Sequence, residues 1–165
     1  MPETLLIKPP ENFRFVPTVY SHGWSELLPF QLDSEKWKLT YIFDNEHLEN
    51  PVSAVISENE QGLKVEISDS KFNKEAEKKI LQDIKHILRI DEDLREFYKL
   101  SDAEENLAWI SRQSAGRLLR SPTVFEDLVK TICTTNCSWS LTKKMVTNLV
   151  ESLGKPSTDD KRAFP

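Results

Sequence analysis

A chain of 165 residues and 19.1 kDa is long enough for one ordinary domain or two small ones. Charged residues make up 30% and the hydrophobic set 38%, with four Trp, eight Phe and three Tyr, which excludes a disordered tail. No run approaches the roughly 18–20 apolar residues of a membrane-spanning helix, and two cysteines exclude a disulfide scaffold.

Met1–Pro10 sets Lys8 behind Leu5-Leu6-Ile7 with no small-residue cleavage site, so it does not read as a secretory signal. The expectation is an intracellular, cytoplasmic protein. Its net charge of -5 conceals a gradient: residues 1–105 carry 13 Lys/Arg against 22 Asp/Glu, whereas residues 106–165 carry 9 against 5. A basic second part fits a polyanion partner, and it equally fits two differently solvated faces.

In chain order, Phe13-Arg14-Phe15-Val16 reads as a first strand stopped by Pro17. Ser21–Phe30 reads as a short helix ended by Pro29. Trp37–Phe43, rich in aromatic and β-branched residues, is the next strand. Val52–Ser57 and Leu63–Ser68 flank the polar loop Glu58–Gly62 as a hairpin, with Leu63, Val65 and Ile67 alternating against Lys64, Glu66 and Ser68. From Asn73 the period becomes helical: Ala76, Ile80, Ile84, Ile87 and Leu88 form one stripe, widened by Leu81, and should cover a sheet face. A shorter helix passes through Leu94, Phe97 and Tyr98.

Ser101-Asp102-Ala103-Glu104 reads as a capping box that launches a helix through Leu107 to about Arg112. Thr123-Val124-Phe125-Glu126 is a second such box, followed by the stripe Phe125, Leu128, Val129, Ile132 and Cys133. A last helix begins near Ser138 or Ser140, carries Leu141, Met145, Val146, Leu149, Val150 and Leu153, and stops at a left-handed Gly154 before Pro156. The remaining Lys155–Pro165 reads as a polar linker. It leaves two wide apolar stripes with little chain to cover them. The fold class is therefore α+β, with a sheet domain over residues 1–100 and the first helices of an incomplete helical domain over 101–165.

The four glycines at 23, 62, 116 and 154 are isolated, which excludes a phosphate loop and a dinucleotide fingerprint. Cys133 and Cys137 lack the two further ligands of a metal site, and His22, His47 and His86 have no ligand spacing. No metal or cofactor is expected. The most unusual segment is Thr134-Thr135-Asn136-Cys137-Ser138-Trp139, set between two helices. It serves as a stop and a cap, or as a probe beside free amides that attract phosphate. Arg112, Arg117, Arg120, Lys130, Lys143 and Lys144 supply the positive charge. Lys143 and Lys144, on the polar side of the last helix, could meet phosphates.

Arg117–Ser138, with its Pro122-x-x-Phe125-Glu126 helix followed by a polar stretch at Asn136, resembles the helix-hairpin-helix DNA glycosylases. These form the superfamily of DNA-3-methyladenine glycosylase II and 8-oxoguanine glycosylase. Ser21-His22-Gly23-Trp24 and Asp91-Glu92-Asp93-Leu94 are similar to the 3-methyladenine branch, and the sheet resembles that family's TATA-binding-protein-like amino-terminal domain. The resemblance implies base-excision repair. A damaged base is flipped from double-stranded DNA and its N-glycosidic bond is hydrolysed, without cofactor. It implies Asn136 at the gap-facing position, Cys137 at the neighbouring wedge position, and DNA contacts from Ser138, Lys143 and Lys144.

The family's glycine-rich hairpin and its catalytic Asp have no counterpart among these residues. They would lie beyond Pro165, so no catalytic residue is expected in this chain, and the chain alone is expected to be inactive. A nucleoid-associated location follows from the same resemblance. Two alternatives stay open: a non-catalytic module that binds DNA or a partner chain, and self-association through the uncovered helices.

Overall fold

The computed structural model describes residues 3–68 and 73–165. Five strands make one antiparallel sheet in the order β1-β5-β4-β3-β2: β1 (Glu3–Ile7), β2 (Gln31–Asp33), β3 (Lys38–Phe43), β4 (Val52–Asn59) and β5 (Gly62–Ile67). The α+β expectation holds. Leu63, Val65 and Ile67 are buried on one face, as their alternation requires. The β4–β5 turn is tighter than the expected five-residue loop, because Asn59 pairs with Gly62 across Glu60 and Gln61. Asn59 Oδ1 accepts the Gln61 amide at 2.9 Å. Gly62 has a φ of +133°, and a Cβ there would stand 2.5 Å from the Ile7 carbonyl oxygen of the neighbouring strand.

The expected strand at Phe13–Val16 is not one. The first strand is β1, at one edge of the sheet, and Phe15–Val19 forms a short helix, α1. Pro17 sits in its first turn, where a backbone N–H has no intrahelical partner to lose. The short helix expected over Ser21–Phe30 is reduced to one 3-10 turn, Trp24–Glu26, which ends at an extended Leu27 before Pro29 is reached. Helix α2 (Lys74–Ile87) is capped by Asn73, whose Oδ1 accepts the Ala76 amide at 2.8 Å. Its buried residues Ala76, Ile80, Ile84 and Ile87 cover the sheet together with Leu88.

Helix α3 spans Arg95–Ala103, so the boundary placed at residue 100 falls inside it. The capping box at Ser101 does not form. Ser101 lies within α3 and donates its hydroxyl to the Tyr98 carbonyl at 3.0 Å, while the following helix α4 is only Trp109–Arg112. Helix interiors offer Ser this back-bond, so the tetrapeptide alone does not define a start. Arg117 is also not a surface cation. It is 1% exposed, and its guanidinium donates to the carbonyls of Asn12, Arg89 and Glu92, tying three loops together.

Helices α5 (Val124–Thr134) and α6 (Trp139–Leu153) follow. Gly154 ends α6, but not in the left-handed region: its φ is -67°. Its reason is space, since a Cβ would lie 2.2 Å from the Ala163 carbonyl oxygen. The supposed linker folds back upon that contact. Pro156 bridges Arg162, Ala163 is buried, and the Phe164 ring meets Phe125 edge-on at 6.2 Å.

Candidate nucleic-acid interface

Helix α5 begins with Thr123 Oγ1 accepting the Glu126 amide at 3.1 Å, which is half of a capping box. The reciprocal half is missing because the Glu126 side chain is used elsewhere. It is 1% exposed and accepts the Tyr41 hydroxyl at 2.6 Å and the Lys130 ammonium at 2.6 Å. Lys130 is 0% exposed, with its Nζ 4.7 Å from the Phe30 ring centroid. It is therefore not part of a positive surface. Burial lowers the Lys130 ammonium against the opposing pull of Glu126, and burial pushes the Tyr41 phenol well above its ordinary range.

Most of the α5 stripe is left uncovered, while Val129 and Cys133 are half-buried. Phe125 is 61% exposed, Leu128 56% and Ile132 59%; Cys133 alone of its line packs partly against the small core of Leu27, Val146 and Val150. On α6 the inward residues are Thr142, Val146 and Val150, and Leu141 and Leu153 are exposed. The uncovered apolar face anticipated from the sequence is thus present on α5, whereas the α6 stripe is largely buried through Val146 and Val150.

The junction between these helices is built by side chains that satisfy its carbonyls. Thr134 donates to Thr131 O and Thr135 to Ile132 O, both at 2.7 Å. Asn136 then adopts a φ of +53°, the left-handed stop that Asn tolerates. Ser138 caps α6 by accepting the Leu141 amide at 3.4 Å. Asn136 and Ser138 are exposed, and among the described residues the Asn136 side chain has no hydrogen-bond partner. Cys137 differs: its thiol turns into the junction, donating to Cys133 O at 3.0 Å beside Thr142 Oγ1 at 3.3 Å.

Lys143 and Lys144 extend from the first turns of α6. Lys144 is exposed and enters no ion pair among the described residues, whereas Lys143 Nζ binds Glu26 Oε2 at 2.9 Å. Glu26 also accepts Trp139 Nε1 at 3.3 Å, and these two donors hold its carboxyl below the ordinary range. The loop Ser21–Glu26 is fastened to the helices at further points. Ser21 Oγ accepts the Leu119 amide at 3.1 Å, and Trp24 Nε1 donates to Asp127 Oδ1 at 2.8 Å. Gly23, at φ +87°, lies so close beneath Trp139 that a Cβ would sit 2.8 Å from the indole. His22 stacks on Trp24 at 4.9 Å and is lowered by burial, with Asp127 opposing. The Ser-His-Gly-Trp motif is therefore the seam between sheet and helices.

A cavity of about 370 Å³ opens between β3, α2, the start of α5 and the carboxy-terminal segment, with Tyr41, Phe43, Asp83, Phe125, Glu126 and Phe164 among its walls. It borders the first turn of α5 and the Asn136 junction follows the last, so the two are separated by the helix, about 16 Å of rise. Sequence reasoning missed this buried cluster. Glu126 and Lys130 at i, i+4 are visible in the sequence, but that spacing more often marks an exposed helix pair. No three metal-ligating side chains come together among the described residues, and no described helix is long and apolar enough to cross a membrane.

No family model matches the sequence, and no curated protein matches it. Among solved structures the fold is similar to that of a 3-methyladenine DNA-glycosylase from Archaeoglobus fulgidus, at a TM-score of 0.66 and 16% identity. The match covers 92% of this chain and 51% of that one, so this chain spans about half the length of its structural neighbour. At that identity the likeness is one of fold.

Proposed function

We propose that this chain supplies the lesion-gripping part of a base-excision DNA glycosylase of the helix-hairpin-helix type, and that these 165 residues by themselves bind damaged duplex without releasing a base. The observation that carries the reading is the exposed Asn136 junction, set between α5 and α6 on a fold that follows a DNA glycosylase over 92% of the chain. In this reading Asn136 enters the gap left by the flipped nucleotide. Its amide offers both donors and acceptors to the orphaned base. Ser138 and the first amides of α6 meet one flanking phosphate, and Lys144, joined by Lys143 when it leaves Glu26, meets another. Cys137 acts from within, shaping the turn through Cys133 and Thr142 rather than serving as the wedge.

The test is binding to a duplex with one abasic site against the same duplex undamaged. The expected result is tighter binding to the abasic duplex, with Asn136→Ala lowering that affinity more than the affinity for intact DNA. Equal losses would return Asn136 to a helix stop. An alkylated duplex tests the chemistry, and base release by this chain would refute the claim that it lacks the catalytic group.

A second reading is favoured by one observation, the exposed Val124, Phe125, Leu128 and Ile132 on α5. An apolar face of this kind fits association with a partner chain or a second copy. A dimeric mass in dilute solution that Leu128→Asp reduces to monomer would support it.

A further inference from the structure

We infer that the buried Tyr41–Glu126–Lys130 network is an orientation lock: it determines which face of α5 meets the sheet, and hence where the helix presents its apolar side and the Asn136 junction. The inference stands whether or not the chain acts on DNA.

At 100° per residue, Glu126 and Lys130 lie on one side of α5, and Phe125, Leu128 and Ile132 lie roughly half a turn away. Burial of apolar surface alone would turn the second group toward the sheet. The structure has the reverse for these residues, with Val129 and Cys133 half-buried on the arc between the two groups. Lys130 is 0% exposed and Glu126 1%, while the three apolar side chains stay more than half exposed. Something specific must oppose the roll, and the network has the required properties.

Both oxygens of Glu126 are engaged, one by Tyr41 and one by Lys130. The Lys130 ammonium also reaches Ser121 Oγ at 3.5 Å and lies over Phe30 at 4.7 Å and Phe164 at 5.8 Å. The pair's partners come from β2's approach, from β3, from the segment before α5 and from the carboxy-terminal strap. A rolled helix would leave the Tyr41 hydroxyl, itself 3% exposed, facing apolar side chains with no acceptor. A buried ion pair is a weak source of net stability against apolar residues of similar size, but it demands one geometry. These three are positioning residues. A second, weaker tether lies one residue on, where Asp127 Oδ1 accepts Trp24 Nε1 and the Ser121 amide, both at 2.8 Å.

The test replaces the network as a unit, so that no charge is left buried alone and little apolar surface is added to the inner face: Tyr41→Phe, Glu126→Ala and Lys130→Ala together, in a chain carrying Leu128→Cys as a probe of the outer face. Alkylation at position 128 is followed on dilute monomer by site-resolved mass spectrometry, with far-UV circular dichroism as the fold control. A companion variant adds Asp127→Asn to release the second tether.

With the native network the probe reacts as an exposed thiol. With the apolar network, in one or both variants, its rate falls about tenfold or more because the helix has turned it inward, while helicity is kept. An unchanged rate in both variants would show that α5 holds its rotation without the network. Loss of helicity would also overturn the inference, because it would make the network a source of stability rather than of orientation.

Discussion

The sheet unit and helix α5 obey opposite rules. Of thirteen exposed large apolar side chains among the described residues, only Leu6 and Tyr20 precede Phe97; the other eleven lie in the helices and their connections. The sheet and α2 bury their apolar stripes against each other, with Phe15, Leu39, Ile56, Leu63 and Ile84 fully inside. Helix α5 hides a lysine and a glutamate and displays a phenylalanine, a leucine and an isoleucine. A core that closes on itself follows hydrophobic burial, whereas a helix with an uncovered face can be held by a few directional polar contacts.

The largest expected effect comes from breaking the polar contact on one side only. Lys130→Met leaves the Glu126 carboxylate buried without a cation and should cost about 3–5 kcal/mol in urea unfolding. A loss no greater than that of a surface substitution would mean water reaches Glu126. Next, Ile56→Ala in the middle of β4 should cost about 2–5 kcal/mol through the cavity it leaves. Ile132→Ala, a similar truncation on the exposed face of α5, should change stability by no more than about 0.5 kcal/mol. Similar losses at the two sites would erase the difference between the regions and point to a covered α5.

Tyr41→Phe sharpens the comparison through pH. At neutral pH it removes the hydroxyl that Glu126 accepts and should cost about 1–3 kcal/mol. Burial, followed by the Glu126 charge, raises the Tyr41 phenol in the fold, so the native state keeps this proton to higher pH than the unfolded chain does. Its contribution is therefore complete below about pH 10 and is lost as pH rises past that value. The phenylalanine variant has no such loss, and the gap between the two proteins should narrow in alkaline urea titrations. Lys130, whose ammonium is lowered, has the opposite sign, acts below the ordinary lysine range, and is common to both proteins. A gap that stays constant through the alkaline range would place the Tyr41 hydroxyl in contact with solvent.

How much of this was legible depended on whether a pattern specifies direction. Strict alternation at Leu63–Ile67 and the stripe Ala76–Leu88 gave both element and buried face, because each had a single apolar side and a sheet to meet. Strand β1 escapes a sequence reading because Leu5-Leu6-Ile7 is short and sits just ahead of Pro9 and Pro10. The α5 stripe is helical, as its period requires, but periodicity marks a face without saying whether anything covers it. Its inversion depends on Tyr41, 85 residues earlier in the chain. The two capping boxes show the same limit: Thr123 caps a helix and Ser101 lies inside one, although the tetrapeptides match equally well. At the candidate interface, the stop at Asn136 and the cap at Ser138 were readable from local chemistry. The inward turn of the Cys137 thiol and the pairing of Lys143 with Glu26 were not, since both depend on tertiary neighbours.

That pairing gives the smallest effect and the finest test of the seam between the two regions. Lys143 and Glu26 are 43% and 50% exposed, so a double-mutant cycle on stability should return no more than about 1 kcal/mol for the pair. Its consequence for DNA should be easier to read. While Glu26 holds the ammonium, Lys143 is only partly available to a phosphate; Glu26→Gln removes the competing charge and leaves the Trp139 contact a neutral acceptor. Under the DNA-binding reading, the variant should bind duplex more tightly at low salt, and its log–log salt dependence should steepen by about one counterion. Lys143→Ala should cancel that gain, and Lys144→Ala should flatten the slope without regard to Glu26. Should Glu26→Gln leave both affinity and slope unchanged, Lys143 belongs to the seam alone. The phosphate contacts would then have to come from Lys144 and the amides at the start of α6.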